Sequence, residues 1–478
     1  MEEKFIYPEM DQKNYRRDEN GWIFVHVEGS PRIRGYAYGR LMAKEIVQAV
    51  NDAKSLIEVQ TGVSWDFFLN DEMSVLNKWK FRLSEGVYNE FYIELLGIED
   101  GVNAEIPGCG ITRDDLILWN GYEELTDYWF PTVAGSIYQK ISGEKSTGGN
   151  TFKSFCNGAH DHCSAFIATG SYTEDGKIVM AHNSFTPFES GNYSNVVADI
   201  VPDDGYPFIM QTQPGYIHSM TDFYETKTGD KTGLMITETT IGGFNAYDEN
   251  EIPEFARIRY AVQYANSLDD FADKFWTGNN GGYANTWLVG DIATNEIMRF
   301  EAGLKFYKVD KTTDGYFAGF NAPLDPRIRN LECSNSGFAD IRRHQGARQV
   351  RIPQLMEEYK GKINNEIAQK ILADHYDVYL DKENPCSRTV CSHYELDDRA
   401  FMSQSGRPVP YQPRGAVDGV TANSANALEL SLWCRWGNSC GAPFYADEFL
   451  KKHPQFDYLK PYLKDRPTQP WTKLMNKK

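Results

Sequence analysis

The spacing of hydrophobic and polar positions changes period several times along the chain. Trp22-Ile-Phe-Val-His-Val27 alternates and is rich in β-branched residues, which predicts a strand. Gly29-Ser-Pro31 is a turn signal, and the run Leu41–Val50 repeats at helical spacing. Residues 41–100 keep that spacing for the most part. Residues 130–160 read as a loop, with a turn cluster from Ser142 to Asn150. The texture then changes. From Cys163 to about Val309 the chain reads as successive strands with tight turns. Ala165–Thr169 and Lys177–Ala181 flank the polar Tyr172–Gly176, a hairpin signal because Asp-Gly tolerates positive φ. Gly233–Glu238, Thr286–Gly290 and Ile297–Glu301 are further predicted strands, interrupted by helical stretches at Glu254–Ala265 and Leu268–Trp276. Residues 339–374 return to helical period. The chain closes with short helices and loops through Pro461–Trp471. This order predicts a layered α+β fold with antiparallel sheets.

Composition narrows the classes of function. The 478 residues are 41% hydrophobic and 24% charged, ordinary globular usage. No apolar run approaches the ~20 residues of a membrane span. The net charge of −18 disfavours a nucleic-acid partner, because a polyanion meets a repulsive mean field. Met1–Met10 lack a basic stretch followed by an apolar one. The chain as given is therefore expected in the cytoplasm, or in a secreted or lysosomal-like setting if a leader was trimmed. Eight cysteines are too few for a disulfide scaffold. Cys386/Cys391 and Cys434/Cys440 are each close enough in sequence to bridge, and reduced thiols fit equally well.

The densest reactive segment runs Cys156-Asn-Gly-Ala-His-Asp-His-Cys163. Cys156, His160, His162 and Cys163 offer zinc-type ligands, although the spacing follows no usual zinc pattern. A buried, inert cysteine is a second reading. In the third, Cys163 is a nucleophile where a loop meets a strand. A thiol of pKa ~8.5 needs activation. Cleavage just before the residue frees an α-amine of pKa ~8 that can take its proton.

Cys163-Ser-Ala-Phe-Ile-Ala-Thr-Gly170 followed by Asp175-Gly-Lys-Ile-Val-Met-Ala-His182-Asn-Ser-Phe185 resembles the nucleophile hairpin of the phospholipase B-like proteins. Those are Ntn hydrolases related to the peptidase C45 acyltransferases of penicillin biosynthesis. The resemblance continues through Pro214–Tyr224, Gly233–Ile241, Asn280–Trp287, Ser387–Thr389, Pro413–Asp418 and Trp436–Gly441, and includes Gly29–Gly39. It implies a four-layer αββα Ntn-hydrolase sandwich with helical N-terminal and C-terminal additions. It also implies self-cleavage between His162 and Cys163, so that residues 1–162 form a segment packed into the same fold as the catalytic portion 163–478. By position, the resemblance places His182 next to the nucleophile as a catalytic residue, and Asn183 follows it as a substrate contact. Phe185 stands where bile-salt-hydrolase relatives carry an acidic residue. Asn285 matches the asparagine expected to build the oxyanion hole, beside Cys163 on a neighbouring strand.

Other candidates have plainer readings beside them. His218 is a pocket wall rather than a base. Arg414 either clamps an acidic substrate group or pairs with Asp418. Asn280 serves a turn whether or not it touches substrate. Arg342, Arg343, His344, Arg348 and Arg351 read as a solvated helix face. The leading expectation is a self-processing hydrolase of acyl amides, working through an acyl-enzyme at Cys163. A phospholipase B-like ester hydrolase or acyltransferase is the alternative, and a catalytically silent, unprocessed binding protein is a third. A small acyl or lipid substrate is expected, with no cofactor and no metal; a homo-oligomer is left open.

Overall fold

The computed structural model describes residues 7, 12–142, 163–334, 337–403 and 409–477. Two large sheets dominate. The nine-stranded sheet runs, in spatial order, Tyr15–Glu19, Trp22–Gly29, Val196–Pro202, Phe208–Thr212, Tyr224–Gly229, Thr232–Thr240, Asn285–Asp291, Glu296–Ala302 and Tyr307–Thr312. The second sheet runs Gly315–Gly319, Cys163–Thr169, Val179–Pro187, Asp418–Asn423, Ser431–Trp436 and Thr472–Met475, with Arg414–Ala416 also paired to Val179–Pro187. Neighbouring strands in these two sheets are antiparallel apart from Trp22–Gly29 beside Val196–Pro202, which is parallel. The amino-terminal part of the chain thus supplies two strands to a sheet built mostly from later residues.

Period-two alternation assigns each strand two apolar faces, and both are used. Trp22 and Phe24 pack between the sheets with Ile167, Met180, Met235, Leu288 and Val420. Val25 and Val27 on the same strand face the opposite way, onto helices Pro31–Leu41, Ala43–Thr61 and Asn89–Glu105. Phe166, Ala168 and Val179 turn outward onto helices His344–Glu358 and Asn365–Leu372. The layers are therefore helix, sheet, sheet, helix, an α+β architecture with the predicted antiparallel sheets. Burial on both faces explains why these strands are so uniformly apolar.

The predicted hairpin is present. Cys163–Thr169 pairs with Val179–Pro187, and Gly176 takes the positive φ of +71° that the Asp-Gly turn calls for. The Gly35-Tyr-Ala-Tyr-Gly39 segment lies within the first helix. It crosses Asn89–Glu105 so closely that a Cβ on Gly35 would fall 2.2 Å from the Glu94 carbonyl oxygen. Buried Arg34 ties the crossing to Glu94 at 2.7 Å.

Two expectations are corrected. Residues 130–142 are helical, Phe130–Ser142, because Phe130 and Ile137 are buried in the main core. The remainder of that predicted loop, with Cys156, His160 and His162, lies outside the described residues. The Arg342–Arg351 stretch opens a helix that is not simply solvated. His344 and Arg348 are buried, and Arg348 has no exposed surface.

Candidate active site

Cys163 opens its strand and is fully buried. Its backbone N–H donates to Asn321 Oδ1 at 3.3 Å, and the Asn321 amide donates in turn to the Thr240 carbonyl at 2.8 Å. Arg348 braces the same residue from the outer helix. Its guanidinium donates to the Cys163 carbonyl, to Ser164 Oγ at 3.1 Å and to Asn321 Oδ1 at 2.7 Å. The backbone of the candidate nucleophile is thus held by a buried cation reaching across 185 positions of sequence.

The Cys163 Sγ lies 3.6 Å from Glu238 Oε1. Together with His182 these groups form a compact trio whose potential ligand atoms all lie within 4.8 Å of one another. In register, Cys163 faces Ser184, so His182 is its diagonal neighbour on the same face of the hairpin. Both ring nitrogens of His182 are buried and lack hydrogen-bond partners among the described residues. Burial pulls the His182 pKa down to about 3. Burial, with Glu238 and Asp418 adding to it, pushes the Cys163 thiol well above its ordinary range. Burial, reinforced by Glu254, also holds Glu238 up, which favours its neutral acid. Both shifts oppose a thiolate–imidazolium pair between Cys163 and His182.

Asn285 belongs to the opposite sheet, which corrects the expectation of a neighbouring strand. It pairs with Thr240, and Glu238 is two residues back along that strand. By the two-residue period, Asn285 and Glu238 project from one face, and Glu238 reaches the Cys163 sulfur. The Asn285 amide is buried, and neither its Nδ2 nor its Oδ1 has a partner among the described residues.

Asn183 points the other way along the hairpin. It accepts from Ser164 N–H at 3.2 Å and donates toward Leu372 O, Val390 O and Ser439 Oγ at 3.1–3.2 Å. Its amide is spent on holding protein segments together, so the expected substrate contact is replaced by a positioning role. His218 Nε2 meets the Asn120 carbonyl at 3.1 Å, and the ring stacks on Tyr216 at 4.7 Å. Burial lowers its pKa to about 3, consistent with a wall and not a base. Arg414 donates to the Phe185 carbonyl at 3.1 Å. Asp418 accepts instead from Ser184 N–H at 3.0 Å. Asn280 holds buried Arg257 through its Oδ1 at 3.0 Å. Phe185 is buried beside Cys391 and Ala416.

A cavity of about 370 Å³ opens along the same hairpin. Thr186 contributes to it, two residues beyond the Ser184 that faces Cys163. Leu56, Trp119, Tyr122, Met220 and Leu459 supply an apolar lining, and Arg414 stands at its wall.

The family model of phospholipase B matches residues 19–461, nearly the whole of this site and its frame. The chain belongs to the phospholipase B family. An uncharacterized protein of Archaeoglobus fulgidus is 25% identical over 59% of this chain and 44% of its own length. Phospholipase B of Crotalus adamanteus is 25% identical over 46% of this chain and 41% of its own. Phospholipase B-like 1 of Homo sapiens is 23% identical over 76% of this chain and 70% of its own. The chain thus spans less than half the length of the first two relatives.

Sequence reasoning missed Glu238, Asn321 and Arg348. Glu238 ends a predicted strand as a charged residue in an otherwise apolar and Thr-rich run, which was its one signal. Arg348 was hidden among basic neighbours. Of the two states the spacing left open for Cys386/Cys391 and Cys434/Cys440, the unbridged one is found.

Proposed function

We propose that this phospholipase B family member is a self-processing cysteine hydrolase of the Ntn type that cleaves acyl bonds through Cys163. The observation that carries the reading is the state of the site. A buried thiol touches Glu238 on the strand beside the one that carries Asn285, unpartnered among the described residues, and burial holds both Glu238 and His182 toward their neutral forms. A histidine held near pKa 3 cannot store the proton at neutral pH. The base that fits is the residue's own α-amine, released by cleavage before Cys163.

In that scheme the Cys163 sulfur first attacks the preceding carbonyl carbon. The peptide C–N bond breaks, a thioester forms, and the nitrogen becomes a free amine. Water hydrolyses the thioester and restores the thiol. In turnover the amine takes the thiol proton as sulfur attacks the substrate carbonyl. The oxyanion is met by the Asn285 amide, and the ammonium returns the proton to the leaving group. Water then cleaves the acyl-enzyme. Asn321, at 3.3 Å from the Cys163 nitrogen, orients the amine.

The apolar cavity supports a fatty-acyl substrate, and the names of the snake and human relatives favour a phospholipid ester. The N-acyl amide is the finer alternative. Intact mass spectrometry of freshly purified protein treated with an electrophilic acyl probe tests the reading. Fragments 1–162 and 163–478, with the probe on Cys163, are expected. A single uncleaved chain that hydrolyses acyl substrates would overturn the α-amine mechanism. Parallel rates on a phospholipid and on an N-acyl amide decide the leaving group.

A further inference from the structure

A second cluster lies behind the hairpin, away from the thiol assigned to catalysis. His375 follows the helix Asn365–Leu372, Cys391 and His393 sit in the next loop, and Cys440 comes from the loop after strand Ser431–Trp436. Each contributes one potential ligand atom, and all four atoms lie within 4.8 Å of one another. His375 Nε2 is 3.1 Å from His393 Nε2. Cys391 Sγ and Cys440 Sγ lie 3.4 Å and 3.6 Å from the same His393 nitrogen. We infer that His375, Cys391, His393 and Cys440 form a structural zinc site.

The distances carry the inference. Tetrahedral zinc with Zn–N of ~2.0–2.1 Å and Zn–S of ~2.3 Å sets ligand edges of ~3.3 Å for N···N and ~3.6 Å for N···S. The observed edges fall within about 0.2 Å of these. The surroundings also suit a ligated ion. His393 Nδ1 meets Glu395 Oε1 at 2.7 Å, which fixes the tautomer and leaves a lone pair on the converging Nε2. The Ala442 N–H donates to Cys440 Sγ at 3.4 Å, as suits a thiolate. Cys391 and His393 are buried and the other two half-buried, so the set is closed in the manner of a structural site.

Two other uses of these residues explain less. A Cys391–Cys440 disulfide would leave two imidazole Nε2 atoms face to face. A Cys440–His393–Glu395 relay would leave His375 and Cys391 without a reason to converge. The trio at Cys163 offers three ligand atoms and belongs to the site already described. The site departs from the expectation that the chain holds no metal, because that expectation considered only the Cys156–Cys163 segment.

The full-length protein, purified under reducing conditions, should contain one zinc per chain by elemental analysis. The double variant Cys391→Ser/Cys440→Ser should fall to background, and Cys163→Ser should keep its zinc. Should the double variant misfold, wild-type protein stripped by a chelator and titrated with cobalt still decides. It should develop a tetrahedral spectrum with thiolate-to-metal charge transfer, saturating at one equivalent. Three outcomes would overturn the site. They are a reduced wild type that takes up neither zinc nor cobalt, a Cys391–Cys440 disulfide in peptide maps of freshly isolated protein, and zinc retained by a folded double variant.

Discussion

The two sides of the Val179–Pro187 strand carry the same three side-chain types in different arrangements. On one side stand Cys163, His182 and Glu238; on the other stand Cys391, Cys440, His375 and His393, with Glu395 on His393. The carboxylate's position makes the difference. Glu395 takes the far nitrogen of His393 at 2.7 Å and aims the near one at the sulfurs. Glu238 instead touches the Cys163 sulfur itself, and neither nitrogen of His182 has a partner among the described residues. The first arrangement gathers lone pairs at a point. The second keeps the thiol protonated and leaves polar atoms free for a reacting group. Residue composition alone therefore does not decide what a Cys–His–Glu group does; the hydrogen bond on the far side of the imidazole does.

Replacing the two thiols separates the regions most sharply. Cys163→Ala should abolish both processing and turnover while the fold persists, seen as one band on denaturing gels and no acyl-probe labelling. Cys163→Ser should cleave slowly and turn over far less. If Cys440→Ser abolishes turnover in a fully folded protein that still holds zinc, the division of labour is wrong. Next in size is the oxyanion donor. Asn285→Ala should lower kcat by ~10²–10³ with little change in KM, and Asn285→Asp should be worse because its charge repels the oxyanion. Steady-state kinetics read both; an unchanged kcat in Asn285→Ala would remove the side chain from the mechanism.

Stability effects come third. Asn183→Ala takes the amide donor from the Leu372 carbonyl, while the Val390 carbonyl keeps the Ser164 hydroxyl at 3.2 Å, and should cost about 1–3 kcal/mol in denaturant unfolding. Asp418 gives a pH signature. Burial raises its carboxyl to about 7, so the folded state holds a proton that the unfolded state releases near its ordinary value of 3.8. Stability should fall as pH rises from about 4 to 7 and stay reduced above it. Asp418→Asn keeps an acceptor for Ser184 N–H and should remove that slope, as thermal melts from pH 4 to 8 would show. The smallest effect concerns His182. His182→Ala should lower the rate and alter KM together. The acidic limb of the pH–rate profile should not move, because the proposed base is an amine of pKa ~8. A limb that shifts in this variant would return the base role to His182.

Much of the frame was legible in the sequence. Alternation located the Cys163 hairpin and the Thr232–Thr240 and Asn285–Asp291 strands, since burial on both faces leaves an apolar record. The resemblance supplied Asn285 and His182. The failures share one cause: contacts between residues far apart in sequence. Arg348 has the spacing and company of a solvated residue, and its distant partners Cys163, Ser164 and Asn321 explain its burial. Short spacing left a Cys386–Cys391 and a Cys434–Cys440 bridge open beside reduced thiols. The topology sets Cys391 against Cys440, and no local pattern announces that.

Asn183 gives the site a schedule. It leaves the ribosome 256 residues before Ser439, one of the groups that its amide must meet. At ~5–20 residues per second the wait is on the order of 10–50 s. Its two N–H groups can be met earlier by the Leu372 and Val390 carbonyls, 189 and 207 residues after it, so Ser439 brings the last contact of the set. Packing behind Cys163 is thus completed by a late part of the chain. A product stopped short of Ser439 carries the thiol with Asn321 and Arg348 but without that last contact behind the hairpin.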